Sequence, residues 1–527
     1  MNTPDTGRSA FLVAAGILLS RIAGLIRDRV FAHYFGNSAA ADAFRAAFRI
    51  PNLLQNLFGE GVLSASFIPV YARLLAHEDA AEAGRVAGAV VTLLAFVVSL
   101  LVLIGVLTTP YLIDAIVPGF AGEKRDLTIR LVKILFPGAG LLVFSAWCLG
   151  ILNSHGRFFM SYAAPVLWNA TMIATLIGFG SGIDQFPLAE TLAWGSVVGS
   201  ALQVAIQLPL VLRLVKHLHL SWNMATPGVR TVVRNFVPVF ISRGVVQISA
   251  YVDALLASFL PTGAVAALSY AQTLYILPVS LFGMSVAAAE LPAMSSARGN
   301  EPEVAVYLRQ RLDAGLQRVA FFVIPSAMAF LALGDVIAAA IYQSGRFTYA
   351  DAIYVWGILA GSAIGLLAST LGRLYASAYY ALRDTRTPLH FAIVRIAMGT
   401  GLGYVCAIPL PPALGIDARW GVAGLTLASS LAGWVEFGLL QNTLNRRIGY
   451  TGLTASMLGK LWSAAVAAAA VAWMIKLVLG PQHPILAAVS ILIPYGCAYV
   501  GLTLCWKVPE SQATIGRLAR IIRSATP

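Results

Sequence analysis

Apolar stretches of roughly 20 residues recur along the whole chain, separated by short polar loops, and each is long enough to cross a bilayer as a helix. Of the 527 residues, 58% are hydrophobic and 11% are charged, whereas soluble domains hold about 25% charged residues. The chain is therefore predicted to be an all-α polytopic membrane protein. The clearest spans are residues 86–108, 129–152, 162–180, 188–212, 316–342, 353–381, 389–408, 421–444, 458–479 and 485–506.

Two broken spans in residues 11–75 and two in residues 232–294 raise the predicted number of transmembrane helices to about fourteen. If the first span starts in the cytoplasm, most lysine and arginine residues of the loops fall on that side. The other side holds Lys124, Arg125, Arg130, Arg346 and Arg419. The positive-inside rule then predicts that both termini are cytoplasmic. The net charge of +13 mostly reflects this topology and does not indicate nucleic-acid binding.

The first apolar run is followed by the charged residues 27–29 rather than by a small-residue cleavage site, so no removable signal peptide is expected. The cysteines lie far apart inside apolar segments, without metal-ligand spacing, at Cys148, Cys406, Cys497 and Cys505. They are interpreted as packing residues. The sequence predicts no metal site and no cofactor, and it leaves open whether an ion is coupled to the function.

An internal repeat organises the chain. Its landmarks are Ser20-Arg21 and Ser242-Arg243, 222 residues apart, Phe58-Gly59 and Phe282-Gly283, 224 apart, and the pairs Pro69/Pro292 and Pro165/Pro388, 223 apart. The shared offset predicts two pseudo-symmetric six-helix lobes, residues 1–220 and 221–447, with the same membrane topology. Residues 448–527 lie outside the repeat and would add two helices and a basic cytoplasmic tail. Two such lobes indicate a transporter.

The second span carries a line of polar residues at steps of three or four, which places them on one helical face: Asp42, Arg45, Arg49, Asn52, Asn56, Glu60 and Ser64. Other charges inside apolar regions are Arg21, Arg27, Asp28, Arg29, Arg243, Asp253, Glu290, Arg318, Arg373, Arg395 and Glu436. A charge at the bilayer centre costs about 2.5 to 3.5 kcal/mol even on the lenient insertion scale. Such groups therefore usually line a wet cavity or pair with one another.

Each charge also has a plainer interpretation. Several arginines could snorkel to a membrane surface, and Asp28 with Arg27, or Asp42 with Arg45, could form structural ion pairs. Arg395 and Glu436 could likewise only pair or snorkel. As a group, however, the arginines favour a water-filled cavity for a phosphate-bearing amphiphile, because guanidinium groups meet phosphate oxygens in a two-pronged geometry and stay charged.

Several motifs are recognisable as a set: residues 20–28 (SRIAGLIRD), 41–44 (ADAF), 49–54 (RIPNLL) and 59–61 (GEG), then Pro118-Gly119-Phe120, Gly345-Arg346-Phe347 and Thr387-Pro388. With them, the chain resembles the MurJ (MviN) family of lipid II flippases, in the multidrug/oligosaccharidyl-lipid/polysaccharide exporter superfamily. The resemblance implies a transporter and not an enzyme. It also implies a substrate, the undecaprenyl-pyrophosphate-linked disaccharide pentapeptide of peptidoglycan synthesis, moved from the inner to the outer leaflet of the bacterial inner membrane.

The resemblance also implies cavity positions, namely Arg21, Arg27, Asp28, Asp42, Arg49, Asn52 and Glu60. Arg21 and Arg27 are the expected pyrophosphate contacts. Many members carry arginine where this chain has Gln55 and Thr273, and the hypothesis here is that Arg243, the repeat counterpart of Arg21, restores the missing charge. Asp253 or Glu290 would be its partner.

The expected mechanism is alternating access, with cell-wall synthesis proteins as possible partners. No phosphate-cradling nucleotide loop is seen, so the membrane potential is a candidate driver. Three alternatives stay open: a related polysaccharide-lipid flippase, a multidrug or cation antiporter of the same superfamily, and an intramembrane polyprenyl-phosphate transferase. The antiporter would favour acidic cavity groups, and the transferase would need paired acids for a metal.

Overall fold

The computed structural model of the protein describes residues 6–77, 79–215, 217–222, 226–297, 300–480, 482–513 and 516, and within them it leaves the side chains of residues 6–14, 60, 237–239 and 241–250 undescribed. In these ranges the regular structure is helical, and the only β-type pairing is an isolated bridge between Ser344 and Phe347. The predicted all-α class is confirmed.

The described chain divides into two compact units. The first unit comprises Met1–Ala266 and Ser344–Phe347. Its helices are α1 (Thr6–Phe35), α2 (Ala39–Phe58), α3 (Glu60–Ser66), α4 (Ile68–Ala76), α5 (Ala80–Ile116), α6 (Gly122–Ser154), α7 (Phe158–Phe179), α8 (Gln185–Leu214) and α9 (Pro227–Ser258), together with the first turn of α10 (Ala264–Pro278).

The second unit comprises Ala267–Gln343 and Thr348–Pro527. It contains the rest of α10, a π-helical turn (Val279–Met284), α11 (Ser285–Ser295), α12 (Glu301–Tyr342), α13 (Tyr349–Ile364), α14 (Leu366–Ala381), α15 (Arg386–Ala407), α16 (Leu410–Ala413), a 3-10 turn (Ala418–Trp420), α17 (Gly421–Ile448), α18 (Ala455–Val478) and α19 (Pro484–Cys505). The lobe boundaries drawn from the repeat, at residues 220 and 447, remain a prediction.

Ten of the described helices are long and apolar enough to span a membrane, and an eleventh span arises if α13 and α14 count as one. These two helices meet at Gly365 with a bend of 42°, where the sequence predicted a single span from residue 353 to 381. The remaining spans of the predicted fourteen would be α1, the broken run α2–α4, and α9. Their charged residues lower their hydropathy, so the count of fourteen stays a prediction.

A continuous apolar core in the first unit is formed by side chains of α2, α3, α4, α5, α6, α8 and α9. Its buried side chains include Phe58, Phe67, Val90, Trp147 and Val229. The polar face of α2 is thus opposed by a well-packed apolar face on the same helix, where Ala40, Ala43, Ala47, Ile50 and Leu54 are buried. This packing fixes the direction in which the charged side chains of α2 project.

Two glycines with positive φ allow the segment 344–347 to dock on the end of α1. Gly36 (φ 54°) and Gly345 (φ 54°) lie so close to the opposing backbone that a Cβ atom would come within 2.7 Å of the Arg346 carbonyl oxygen and 2.4 Å of the His33 carbonyl oxygen, respectively. The Arg346 amide donates to the His33 carbonyl at 2.8 Å. The motif at residues 345–347 is therefore explained by close backbone approach.

Candidate functional site

Two arginines share one buried carboxylate between α1 and α2. Asp28 Oδ1 accepts from Arg27 Nη2 at 3.0 Å and from Arg45 Nη2 at 3.2 Å. The side chain of Asp28 is 6% exposed, and those of Arg27 and Arg45 are 17% and 14% exposed. The group carries one negative and two positive charges, so it retains a net positive charge in a site largely shielded from solvent.

Aromatic rings hold both guanidinium groups from the other side. Arg27 lies over the indole of Trp168 on α7, with 5.1 Å between Cζ and the ring centroid, and Arg45 lies over Phe31 at 4.4 Å. The indole of Trp168 is itself fixed, because its Nε1–H donates to the carbonyl and hydroxyl oxygens of Ser196 at 3.1 and 3.2 Å. Cation–π contact and hydrogen bonds thus orient the arginines before any ligand arrives.

Trp168 also connects the arginine cluster to a cleft between α2, α6, α7 and α8. The lining of this cleft includes Phe48, Pro51, Asn52, Gln55, Trp168 and Ser196. Phe48 stacks on Trp168 with 5.7 Å between ring centroids. Asn52, a predicted substrate contact, and Gln55, where the resemblance implied an arginine, therefore lie in the same cleft as the ring that contacts Arg27.

Asp42 is fully buried and is bound to three donors. Its carboxylate accepts from Lys124 Nζ at 2.9 Å and from the backbone amides of Gly263 and Ala266 at 2.8 Å each. Because Gly263 directly precedes α10 and Ala266 lies in its first turn, the carboxylate caps that helix and meets the positive end of its dipole. Asp42 therefore joins α2, α6 and the start of α10, and it does not pair with Arg45.

Arg49 lies one turn beyond Arg45 and is half-buried. Its carbonyl oxygen accepts from the hydroxyl of Tyr251 on α9 at 2.8 Å, and the negative charge of Asp253 acts on its guanidinium. Asp253, which was predicted to be a partner of Arg243, therefore interacts electrostatically with Arg49.

The remaining residues of the predicted site lie on α1, α3, α9 and α11. Arg21 lies on α1 with an exposed side chain, seven residues before Asp28. Arg243 lies on α9 and Glu60 begins α3, but the side chains of both fall outside the described residues. In the second unit, Glu290 is 3% exposed and pairs with Arg311 Nη2 at 2.8 Å and Arg318 Nη1 at 3.2 Å.

Sequence reasoning missed two contributors to the site, because it assigned Lys124 to a loop and did not single out Trp168. It named Arg45 but considered Asp42 as its partner, whereas the observed partner is Asp28. The sequence contained a signal for Lys124, because this residue closely follows the motif Pro118-Gly119-Phe120. In the structure its ammonium lies 4.0 Å from the centroid of the Phe120 ring. Among the described residues, no group of three or more histidine, cysteine, aspartate or glutamate side chains could hold a metal ion.

The multi-helix fold matches solved structures of similar architecture. The chain superimposes on a solved structure described as "Lipid II flippase MurJ, inward closed conformation" with a TM-score of 0.76, at 23% identity, over 94% of this chain and 99% of that one. An inward-facing multidrug resistance MATE family transporter of the MOP superfamily matches with a TM-score of 0.64, at 16% identity, over 83% of this chain and 98% of that one. The chain therefore has the same multi-helix fold as these two structures.

The sequence comparisons specify the family. The model of the family described as "Lipid II flippase MurJ" matches residues 31–490. A probable lipid II flippase MurJ from Rhizobium tropici is 33% identical over 447 residues, 83% of this chain and 80% of that protein. The chain belongs to the lipid II flippase MurJ family, a family of multi-pass membrane transporters and not of enzymes.

Proposed function

We propose that this protein moves lipid II, the undecaprenyl-pyrophosphate-linked disaccharide pentapeptide, from the inner to the outer leaflet of the bacterial inner membrane by alternating access. The family supports the substrate. The observation that carries the proposal in this chain is the cluster of Arg27, Asp28 and Arg45, in which two oriented guanidinium groups share one carboxylate. The surplus positive charge suits an anionic headgroup.

The chemistry of capture follows from that surplus. A pyrophosphate offers several oxygens, each able to accept a charge-assisted hydrogen bond from a guanidinium. The aromatic contacts restrict the Arg27 and Arg45 side chains, so less rotamer freedom is lost when the ligand binds. In this proposal Arg21, Arg27 and Arg49 contact the pyrophosphate, Asn52 contacts the sugar-peptide head through the cleft beside Trp168, and Arg243 supplies further charge.

A groove in the second unit is suited to the polyprenyl tail. It has a volume of about 300 Å³, lies between α12, α19 and the π-helical turn, and its lining includes Phe282, Phe321, Phe322, Pro325, Tyr495 and Tyr499. The hydroxyl groups of Tyr495 and Tyr499 donate to the carbonyls of Pro325 and Phe321 at 2.6 and 2.7 Å, so the rings present apolar faces. We propose that a segment of the tail lies here while the headgroup crosses.

The membrane potential is the proposed driving force, with no nucleotide and no organic cofactor. Moving one charge through 100 mV changes the energy by about 2.3 kcal/mol, and a pyrophosphate lipid carries more than one negative charge. In this proposal both termini are cytoplasmic, and any partners in wall synthesis receive the flipped lipid at the outer leaflet.

Complementation of a cell depleted of its lipid II flippase tests the function. The wild-type chain should restore growth, and Arg27→Ala and Arg21→Ala should not, at matched membrane expression. Arg125→Ala is the control, because Arg125 pairs with the exposed Asp114 at 2.7 Å and lies outside the cluster. Growth on Arg27→Ala equal to that on wild type would show that the cluster does not bind the substrate.

Assays with the purified protein in vesicles separate the alternatives. Transport of lipid II but not of an unrelated polysaccharide lipid supports the proposal, whereas preference for the latter favours a polysaccharide-lipid flippase. Uptake of a cationic dye would favour an antiporter, and chemical turnover of the lipid would favour a transferase.

A further inference from the structure

A second group of charges lies within the membrane helices of the second unit. Arg395 on α15 and Glu436 on α17 form an ion pair with 2.9 Å between Nε and Oε2, and their side chains are 40% and 23% exposed. The contact lacks hydrogen-bond geometry, and among the described residues no acceptor takes up the buried Arg395 Nε–H. The pair therefore leaves donor capacity unused.

Arg373 on α14 adds a second cation to this group. Its side chain is exposed, and within the described part of the chain its guanidinium donates no hydrogen bond and forms no ion pair. Its charge nevertheless acts on Glu436 and, together with that of Arg395, on the phenol of Tyr275. Arg373 therefore lies within electrostatic range of the Arg395–Glu436 pair.

Both arginines lie at the same depth, well inside their helices. Arg373 precedes the end of α14 at Ala381 by eight residues, and Arg395 follows the start of α15 at Arg386 by nine. At 1.5 Å per residue, each lies about 12 to 14 Å from the hairpin that joins the two helices. Snorkelling alone would leave Arg373 solvated at a headgroup, but it does not account for a partly satisfied Arg395–Glu436 pair at the same level.

We propose that Arg373 and Arg395 form an anion-binding site in the second unit that takes a phosphate group of the lipid-linked substrate, with Glu436 orienting Arg395. Tyr275 adds a hydroxyl whose oxygen lies 2.7 Å from that of Ser369. The unused donors of two guanidinium groups match phosphate oxygens, and the surplus positive charge at membrane depth needs an anion. The assignment rests on the proposed function and names additional residues for the same substrate.

Native mass spectrometry of the full-length protein in detergent tests the site, with undecaprenyl pyrophosphate as the probe. Arg373→Gln and Arg395→Gln should each lower the affinity for this lipid by about tenfold, the size typical of a lost charge-assisted hydrogen bond. Arg373→Lys should retain part of it. Arg446→Gln, an exposed arginine near the end of α17, is the matched control and should bind like wild type.

Two further lipids define the source of the phosphate. Binding of undecaprenol, which has the tail but no phosphate, should be the same for all variants, since a general structural defect would lower it. Phosphatidylglycerol should not displace the probe from wild type. Equal displacement by phosphatidylglycerol would mean a site for bulk lipid headgroups and would overturn the assignment.

The inference and the proposed function fail separately. If wild type does not bind undecaprenyl pyrophosphate above undecaprenol, the proposed function fails. If wild type binds it and Arg373→Gln and Arg395→Gln bind it equally well, the proposed function stands and the second-unit site is wrong.

Discussion

Each of the two charged clusters contains two arginines and one carboxylate, but the surroundings of the clusters differ. In the first unit, Asp28 forms ion pairs with Arg27 and Arg45, and all three side chains are less than 20% exposed. In the second unit, Glu436 forms an ion pair with Arg395. Arg373 is exposed and influences the carboxylate through its charge. The same ratio of two arginines to one carboxylate thus occurs once in a packed setting and once in an open one.

The aromatic contacts explain the difference. Trp168 and Phe31 cover the guanidinium groups of the first cluster, whereas in the described part of the chain neither Arg373 nor Arg395 lies over a ring. A guanidinium that is covered on one face and paired on its edge has lost water that it cannot easily regain. The first cluster therefore depends on its carboxylate for stability, and the second is expected to depend on solvent or a ligand.

The largest expected effect comes from removing the shared carboxylate of the first cluster. Asp28→Ala should lower the free energy of unfolding by about 3 to 5 kcal/mol, because breaking a buried ion pair leaves desolvated charge behind. The midpoint of thermal unfolding in detergent measures this. Asp126→Ala is the control, since the side chain of Asp126 is 62% exposed and its contact with Arg125 is 3.8 Å long. A loss for Asp28→Ala no larger than that for the control would contradict the buried character of the cluster.

Much of the fold could be predicted from the sequence, because its signals are local. Helix length and hydropathy identify the spans, and the described helices match the predicted apolar stretches to within one residue at their carboxyl ends or extend beyond them. The bend at Gly365 was missed. An added Cβ atom there would lie 2.7 Å from the Cα atom of Ser430, so the position is shaped by packing against α17, which hydropathy along one helix does not record.

The candidate site was predicted only in part, for a physical reason. Spacing along a helix identifies which charges share a face, and on α2 it selected Asp42, Arg45, Arg49 and Asn52. Arg27 and Asp28 were selected as charges inside an apolar span. Spacing does not identify partners from other helices. Asp42 is bound to α6 and to the first turn of α10, so Arg45 is left to pair with Asp28, which precedes it by 17 residues.

A smaller effect is expected at the carboxylate of the second cluster. Glu436→Gln should change the free energy of unfolding by no more than about 1 kcal/mol, because an ion pair whose arginine is 40% exposed is worth little. The same variant should bind undecaprenyl pyrophosphate a few-fold more tightly, since it removes the negative charge that pairs with Arg395. A destabilisation as large as that of Asp28→Ala would show that the two clusters do not differ in the way described.

The smallest expected effect on stability concerns an exposed ion pair outside the membrane spans. Asp384, in the loop before α15, accepts from the Thr387 amide at 3.0 Å and from Arg447 Nη1 at 2.6 Å, and the side chain of Arg447 is 45% exposed. The backbone and side-chain hydrogen bonds of Thr387, with the pairing to Arg447, lower the pKa of Asp384 to about 2. Because the folded pKa lies below the unfolded value of about 3.9, the contribution of Asp384 to stability is present above pH 4 and is lost as the pH falls towards 2.

Asp384→Asn keeps an acceptor for the start of α15 but removes the charge. The difference in thermal midpoint between wild type and this variant should be small, corresponding to less than about 1 kcal/mol. It should stay constant from pH 8 to pH 5 and shrink below pH 4. Comparing the two proteins at each pH cancels the titration of the other carboxylates. A difference that persists unchanged at pH 2.5 would mean that the ionised carboxylate of Asp384 contributes nothing, and that the neutral hydrogen bonds at the start of α15 carry the whole effect.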